Sequence, residues 1–212
     1  MIIRKYLLEK TLDELEIEPG TNTFLSAGFG NFGIFNDFEN LEDVFNFVVM
    51  KLVDKVRPGF VIVPTYSYSF SESGATSFFD PSRTPSKLGH FSNWFLRNVS
   101  EYRTPDPMVS CAFSSVKAES QFSDVNDTSY GSGCLFEKLL RSTTPTKILN
   151  FGLGYKWMPF IHYLDFVMSS PYRYQKKFRG KIIQNSDVRE ILWEYHVPIR
   201  HPSGEGTRSE EH

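Results

Sequence analysis

His162 and Asp165 stand three residues apart in PFIHYLDFVMS, a stretch that reads as a helix with Pro159 in its first turn, so both side chains fall on one face. A carboxylate there can hold an imidazole in one tautomer and raise its basicity, as a general base requires. The same short pattern also suits a histidine that packs or caps beside a solvated aspartate. Its position favours chemistry: it follows the strand-like TKILNF and the glycine turn GLGY, where a cleft is expected.

Residues 28–33, GFGNFG, carry the spacing of the dinucleotide fingerprint after the strand-like NTFLSA. That fingerprint needs a helix opening at its third glycine and an acid about 20 residues further on. Here IFNDFEN intervenes before helical spacing begins at Leu41, and the next strand ends in Pro64 and Thr65. Neither condition is met, so a nicotinamide or flavin site is not expected. The glycines still indicate a loop whose backbone can approach a ligand closely.

Other groups allow two uses. In SFFDPSRTPSKLG (77–89), Asp80 and Ser86 can bind hydroxyls or amines, and Ser86 can equally cap the following helix. In YRTPDPMVS (102–110), Asp106 can meet a cationic ligand or cap the turn that its flanking prolines stiffen, and the cap is the better reading. Cys134, at a helix start where thiol acidity rises, is the better nucleophile candidate of the two cysteines; Cys111 lies inside an apolar strand. Arg173, Lys176, Lys177, Arg179 and Lys181 in RYQKKFRGK make a basic cluster that reads as solvated surface or, alternatively, as a phosphate contact.

These residues are carried by 212 positions, 40% hydrophobic, enough for one sizeable core. A net charge of -2 gives no basic field for nucleic acid. No apolar run approaches the ~20 residues of a membrane span and no secretory core is visible, so a cytoplasmic setting is expected. Two distant cysteines predict buried reduced thiols, neither a disulfide framework nor a metal site. Helical and strand-like segments alternate: a helix over 2–16, the strand NTFLSA, a helix from Leu41 capped by Asn40 with Asp43 three residues later, and the strand GFVIVPTYSYSF. A long loop (71–86) leads to the helix KLGHFSNWFLRNV, the strand MVSCAFSSVKA, the helix CLFEKLLRS and the strand TKILNFGLG. Such alternation predicts an α/β fold in three layers, a central sheet covered by helices on both faces. Residues 1–200 are expected to form one domain and the polar 201–212 a flexible tail.

In this order the segments resemble the aminoglycoside 3-N-acetyltransferase family, with the antibiotic N-acetyltransferase fold. FLSAGFGNFG is similar to its V-H-S-S-L-x-x-x-G loop, VIVPTYS to its strand ending in proline-threonine, and Phe79, Asp80, Pro81, Thr84, Pro85, Ser86 and Gly89 to its F-D-P...T-P-S...G. RTPDPMVS is similar to R-S-x-H-P-x-x-S, YGSGC to F-G-x-G-S, and GLGYKWMPFIHYLD to G-V-G-Y-x-x-N-T-x-x-H-x-x-E. The resemblance implies direct acyl transfer from a coenzyme A thioester, acetyl-CoA foremost, to an amine of an aminoglycoside, a nucleotide-linked sugar or a polysaccharide sugar. His162 would be the base and Asp165 its partner. Ser26, Ala27 and Gly28, with Thr65 and Ser110, would serve the pantetheine and thioester oxygen, and Asp80 and Asp106 would face the amino sugar. The alternative is a family member that binds acyl-CoA or sugar without turnover. Departures stand at Leu25 and Ser26, at Asp106 in place of a histidine, at Met158 and Pro159, and at Asp165 in place of glutamate. The chain also stops earlier than the family usually does, and its oligomeric state is left open, a homodimer being one option.

Overall fold

A computed structural model describes residues 2–71, 77–155, 157–184 and 187–199. The expected tail over 201–212 lies outside the described residues, as do 72–76 of the long loop. A five-stranded sheet forms the centre, in the order β6 (Tyr102–Arg103), β7 (Cys111–Phe113), β4 (Val61–Pro64), β2 (Asn22–Ala27) and β8 (Thr146–Phe151). β2 runs parallel to β4 and β8, while β7 is antiparallel to β4 and β6.

Neighbouring side chains of a strand point to opposite faces, so a sheet buried on both sides needs apolar residues at every position. Phe24 and Leu25 on β2, and Ile62 and Val63 on β4, meet that need with 0% exposure. Leu25, Val61, Val63, Ala112 and Phe151 pack against α1 (Lys5–Glu14), α2 (Leu41–Val56) and α3 (His90–Asn98). Phe24, Ile62, Cys111 and Phe113 pack on the other face against α4 (Glu119–Phe122), α5 (Leu135–Arg141) and α6 (Phe160–Val167). The three-layer α/β expectation holds. Among the described residues no helix is long and apolar enough to cross a membrane.

Three expected elements differ. The N-terminal helix is preceded by β1 (Ile2–Ile3), which pairs in parallel with β3 (Ile34–Phe35). The two long strands expected from Gly59 and Met108 shrink to four and three residues. Serine and tyrosine after Pro64 leave the sheet because Ser67, Tyr68 and Ser69 bond instead to the Pro107 and Met108 carbonyls. The largest difference lies past Arg173. β9 (Arg173–Gln184) and β10 (Asp187–Pro198) form a long antiparallel hairpin, and β9 also pairs with β5 (Phe78–Phe79). Ile182, Ile191, Trp193 and Tyr195 press the hairpin onto the core beside α5 and α6. Gly180 permits that approach, since a Cβ there would lie 2.4 Å from the Phe70 ring.

Two buried polar centres join these layers. Arg103 is sunk between β4, β7 and the 80–84 turn: Nη2 donates to the Thr65 carbonyl (2.7 Å), Nε to Ser110 Oγ (3.0 Å) and Nη1 to the Thr84 carbonyl (2.5 Å). Its guanidinium lies 5.0 Å from the centre of the Phe79 ring. Burial lowers it to about 10, so it stays a cation at neutral pH. Asp106 caps its own turn, Oδ1 accepting from the Met108 (2.8 Å) and Val109 (2.9 Å) amides and from Ser129 Oγ (3.0 Å). Ser129 Oγ in turn accepts from Trp193 Nε1 (2.8 Å), tying β10 to the loop before β7.

Two stability measurements follow from these contacts. Asn40 accepts from the Asp43 amide (3.0 Å) while the Asp43 carboxylate accepts from the Asn40 amide (3.3 Å), the expected capping box. Asn40→Ala is expected to lower unfolding free energy by about 1 kcal/mol in denaturant titration. Asp106 is raised from 3.8 to about 6, chiefly by burial against the opposing hydrogen bonds. The folded state therefore holds this proton more tightly than the unfolded chain, and the stabilisation present below about pH 4 is lost as pH rises through about 6. Asp106→Asn keeps the Oδ1 acceptor and cannot titrate. Denaturation across that window should show wild type losing about 3 kcal/mol relative to the variant.

Candidate active site

β8 ends in Phe151 and turns through Gly152, whose φ of 71° is the left-handed region glycine favours. A Cβ on Gly152 would lie 2.3 Å from the Phe32 ring and 2.7 Å from the Gly28 carbonyl, so this turn and the GFGNFG loop interlock. Asn31 Nδ2 donates to the Gly152 carbonyl (2.8 Å), and the Gly28 amide to the Phe151 carbonyl (2.8 Å). A single 3-10 turn, Phe29–Asn31, lies within the glycine stretch, and the next helix opens only at Leu41. The loop thus braces the β8 turn and offers no helix N-terminus to a pyrophosphate.

That turn feeds α6, which Phe160 anchors edge-on against Phe24, ring centres 5.3 Å apart. His162 follows, its side chain 13% exposed, with the Tyr130 ring edge-on at 5.3 Å. Asp165 Oδ2 lies 3.8 Å from His162 Nδ1, within ion-pair reach and beyond hydrogen-bond length. Asp165 is held mainly by others. Oδ1 accepts from the Tyr172 hydroxyl and from Ser170 Oγ (3.1 Å), and Oδ2 pairs with Arg173 Nε at 3.0 Å. Burial works to raise this carboxyl, but the Tyr172 and Ser170 hydrogen bonds and the Arg173 and His162 charges outweigh it and keep it below its ordinary value. His196, buried on β10, is hydrogen-bonded to the His162 backbone; burial and then the Arg173 charge lower its imidazole.

The remaining predicted residues divide. Ser26 lies on the same sheet face as Phe24, and its buried Oγ has no hydrogen-bond partner among the described residues. It is an unpartnered donor near the end of β2, next to the interlocked loops. Ala27 is half-buried, and the Gly28 amide is already spent on Phe151. Thr65 and Ser110 are fully buried, bonded to each other's carbonyls (3.0 and 2.9 Å), and their hydroxyls accept from Arg103 Nε (3.2 and 3.0 Å). Asp106 is likewise buried, its Oδ1 taken by two turn amides and Ser129. Asp80 accepts from the Ser82 amide (2.8 Å) and borders an open cleft of about 1020 Å³ with Thr84, Asn93 and Arg103. His162 and Asp165 are not among that cleft's lining residues.

Burial pushes the Cys134 thiol up to about 12 despite backbone hydrogen bonds from its helix, so it is not a nucleophile near neutral pH. Cys111 is buried and raised further. Lys176, Lys177, Arg179 and Lys181 are exposed, two of them paired across the hairpin, Lys177 with Glu194 (3.3 Å) and Arg179 with Glu190 (3.5 Å), in line with the solvated-surface reading. Arg173 alone turns inward, its side chain 5% exposed.

Ser170, Tyr172 and His196 escaped sequence reasoning, and Arg173 was read only as part of the basic cluster. A signal existed: Ile191, Trp193, Tyr195 and Val197 alternate with Leu192, Glu194, His196 and Pro198, the period of a half-buried strand.

The sequence model of a family described as aminoglycoside 3-N-acetyltransferase matches residues 35–206. Among solved structures, aminoglycoside acetyltransferase AAC(3)-Xa is 16% identical, with 92% of this chain and 72% of that one aligned at a TM-score of 0.73. AAC-VIa bound to sisomicin is 16% identical over 97% of this chain and 82% of that one, TM-score 0.74. AAC-IIIb, binary with CoASH, is 18% identical over 93% and 77%, TM-score 0.73. At these identities the likeness carries the fold. No curated protein matches the chain. Since the family match spans most of the sequence and the fold agrees with it, this chain belongs to the aminoglycoside 3-N-acetyltransferase family of acyltransferases.

Proposed function

We propose that the chain moves an acyl group, acetyl foremost, from a coenzyme A thioester to an amine of an aminoglycoside or a related amino sugar, with His162 as general base. The observation that carries this reading is the His162–Asp165 pair on α6, directly after the β8 turn, in a chain of this family. The neighbours that bind CoASH and sisomicin support the donor and acceptor classes.

A sugar amine is largely an ammonium near neutral pH and is a nucleophile only after losing a proton. His162 accepts that proton while the nitrogen lone pair attacks the thioester carbonyl carbon. The C–N bond forms, the C–S bond breaks, the imidazolium returns its proton to the departing sulfur, and the second proton of the attacking nitrogen leaves to solvent, giving a neutral amide and a thiol. Asp165, kept ionised by its neighbours, stabilises the imidazolium from 3.8 Å. The Ser26 hydroxyl, buried and without a partner among the described residues, is the group we assign to the thioester arm. Of the two carboxylates expected at the acceptor, Asp80 is the one bordering open space.

The test is thiol release from acetyl-CoA against a panel of aminoglycosides, nucleotide-linked amino sugars and amino polysaccharide fragments. Turnover with one acceptor class is expected, and His162→Ala should cut kcat by about 10²–10⁴-fold while circular dichroism stays unchanged. Saturable acetyl-CoA binding without turnover for any acceptor would instead make the chain a binding protein.

A further inference from the structure

Asp165 is gripped from the hairpin side. Its Oδ1 accepts from two hydroxyls, Ser170 (3.1 Å) and Tyr172, and its Oδ2 forms an ion pair with Arg173 Nε at 3.0 Å, closer than His162 at 3.8 Å. Arg173 is itself fixed: Nη1 donates to the His196 carbonyl (2.9 Å) on the paired strand, while the His196 ring is bonded to the His162 backbone. The first residue of β9 therefore reaches the carboxylate, and its partner strand reaches the backbone of the base. A hairpin that served only to cover the core would need Ile182, Ile191 and Trp193, and no buried guanidinium on α6.

Building on the acyl-transfer reading above, we propose that Ser170, Tyr172 and Arg173 form a clamp that orients Asp165 toward His162, with Arg173 as a positioning residue for acyl transfer. The charged or titratable groups facing Asp165 are His162 from α6, Tyr172 and Arg173 from the hairpin's leading edge, and His196 from β10. Arg173 is the fixed cation among them. It keeps the carboxylate ionised and in place without competing for the imidazole proton, because a guanidinium does not give up its own.

The test uses Arg173→Gln, Arg173→Lys and Tyr172→Phe, each checked for folding by near-UV circular dichroism. Carbon-13 NMR of labelled aspartate follows the Asp165 carboxyl, assigned with Asp165→Asn. In wild type it should titrate below the ordinary aspartate range. In Arg173→Gln it should move upward, since burial remains while the cation is gone, with Arg173→Lys intermediate and Tyr172→Phe shifted in the same direction. In turnover, Arg173→Gln should lower kcat by about 10- to 100-fold, with KM for acetyl-CoA and acceptor changed less than about twofold, and Arg173→Lys should recover part of the loss. An unmoved Asp165 titration in folded Arg173→Gln, or a change in KM alone, would overturn the clamp. Should Arg173→Gln fail to fold, Tyr172→Phe, which loses one hydroxyl at a half-exposed ring, decides by the same titration. Wild type that transfers no acyl group would sink the acyl-transfer reading, and the Asp165 titration would still decide the clamp.

Discussion

Phe24 and Leu25 are adjacent in the chain, point to opposite faces of the central sheet, and are both fully buried. β2 and β4 therefore need a cover on each side, and no single layer of helices can provide it. On one face α2 answers with Val44, Phe45, Val48, Val49, Leu52 and Val56, a full apolar stripe. On the other face the helices are short, seven and eight residues in α5 and α6, and cover less. The β9–β10 hairpin fills the shortfall with Ile182, Ile191, Trp193 and Tyr195. The candidate site sits on this second face, where α6 is braced by the sheet beneath and by the hairpin beside it.

Charge inside such a molecule is tolerated only where neighbours replace water. Arg103 has its donors spread over the Thr65 and Thr84 carbonyls and Ser110, with Phe79 below. Asp106 and Asp165 are both buried carboxylates and end with opposite acidities. Asp106 has amides and one hydroxyl on a single oxygen, with burial dominating, and is raised. Asp165 has a guanidinium at 3.0 Å plus two hydroxyls, and is lowered. A carboxyl raised only to about 6 still accepts its turn amides at neutral pH, and one held below its ordinary value suits a place beside an imidazole that must accept a proton.

Local rules were legible where the physics is local. The Asn40–Asp43 box starts α2 at Leu41 because both bonds form within one turn. Pro159 precedes α6 because the first turn does not need its amide. Asp106 caps its turn, a reading available from YRTPDPMVS alone, and this weighs against the sugar contact that family resemblance suggested. The hairpin was not legible in the same way. Lys176, Lys177, Arg179 and Lys181 mask the strand pattern of β9, and their partners Glu190 and Glu194 come into register only once the hairpin forms.

The sequence by itself determined the α/β alternation, the helix that carries His162 and Asp165 on one face, and the family to which the ordered motifs point. These depend on periodicity, caps and turns within about ten residues of one another. Tertiary structure alone decided which groups remain free to act. Thr65 and Ser110 were spent on Arg103, the Gly28 amide was spent on Phe151, and Ser26 kept an unpartnered hydroxyl. It also took Arg173 out of a row of surface cations and set it on Asp165, because hairpin pairing, which no local pattern encodes, fixes where that side chain lands.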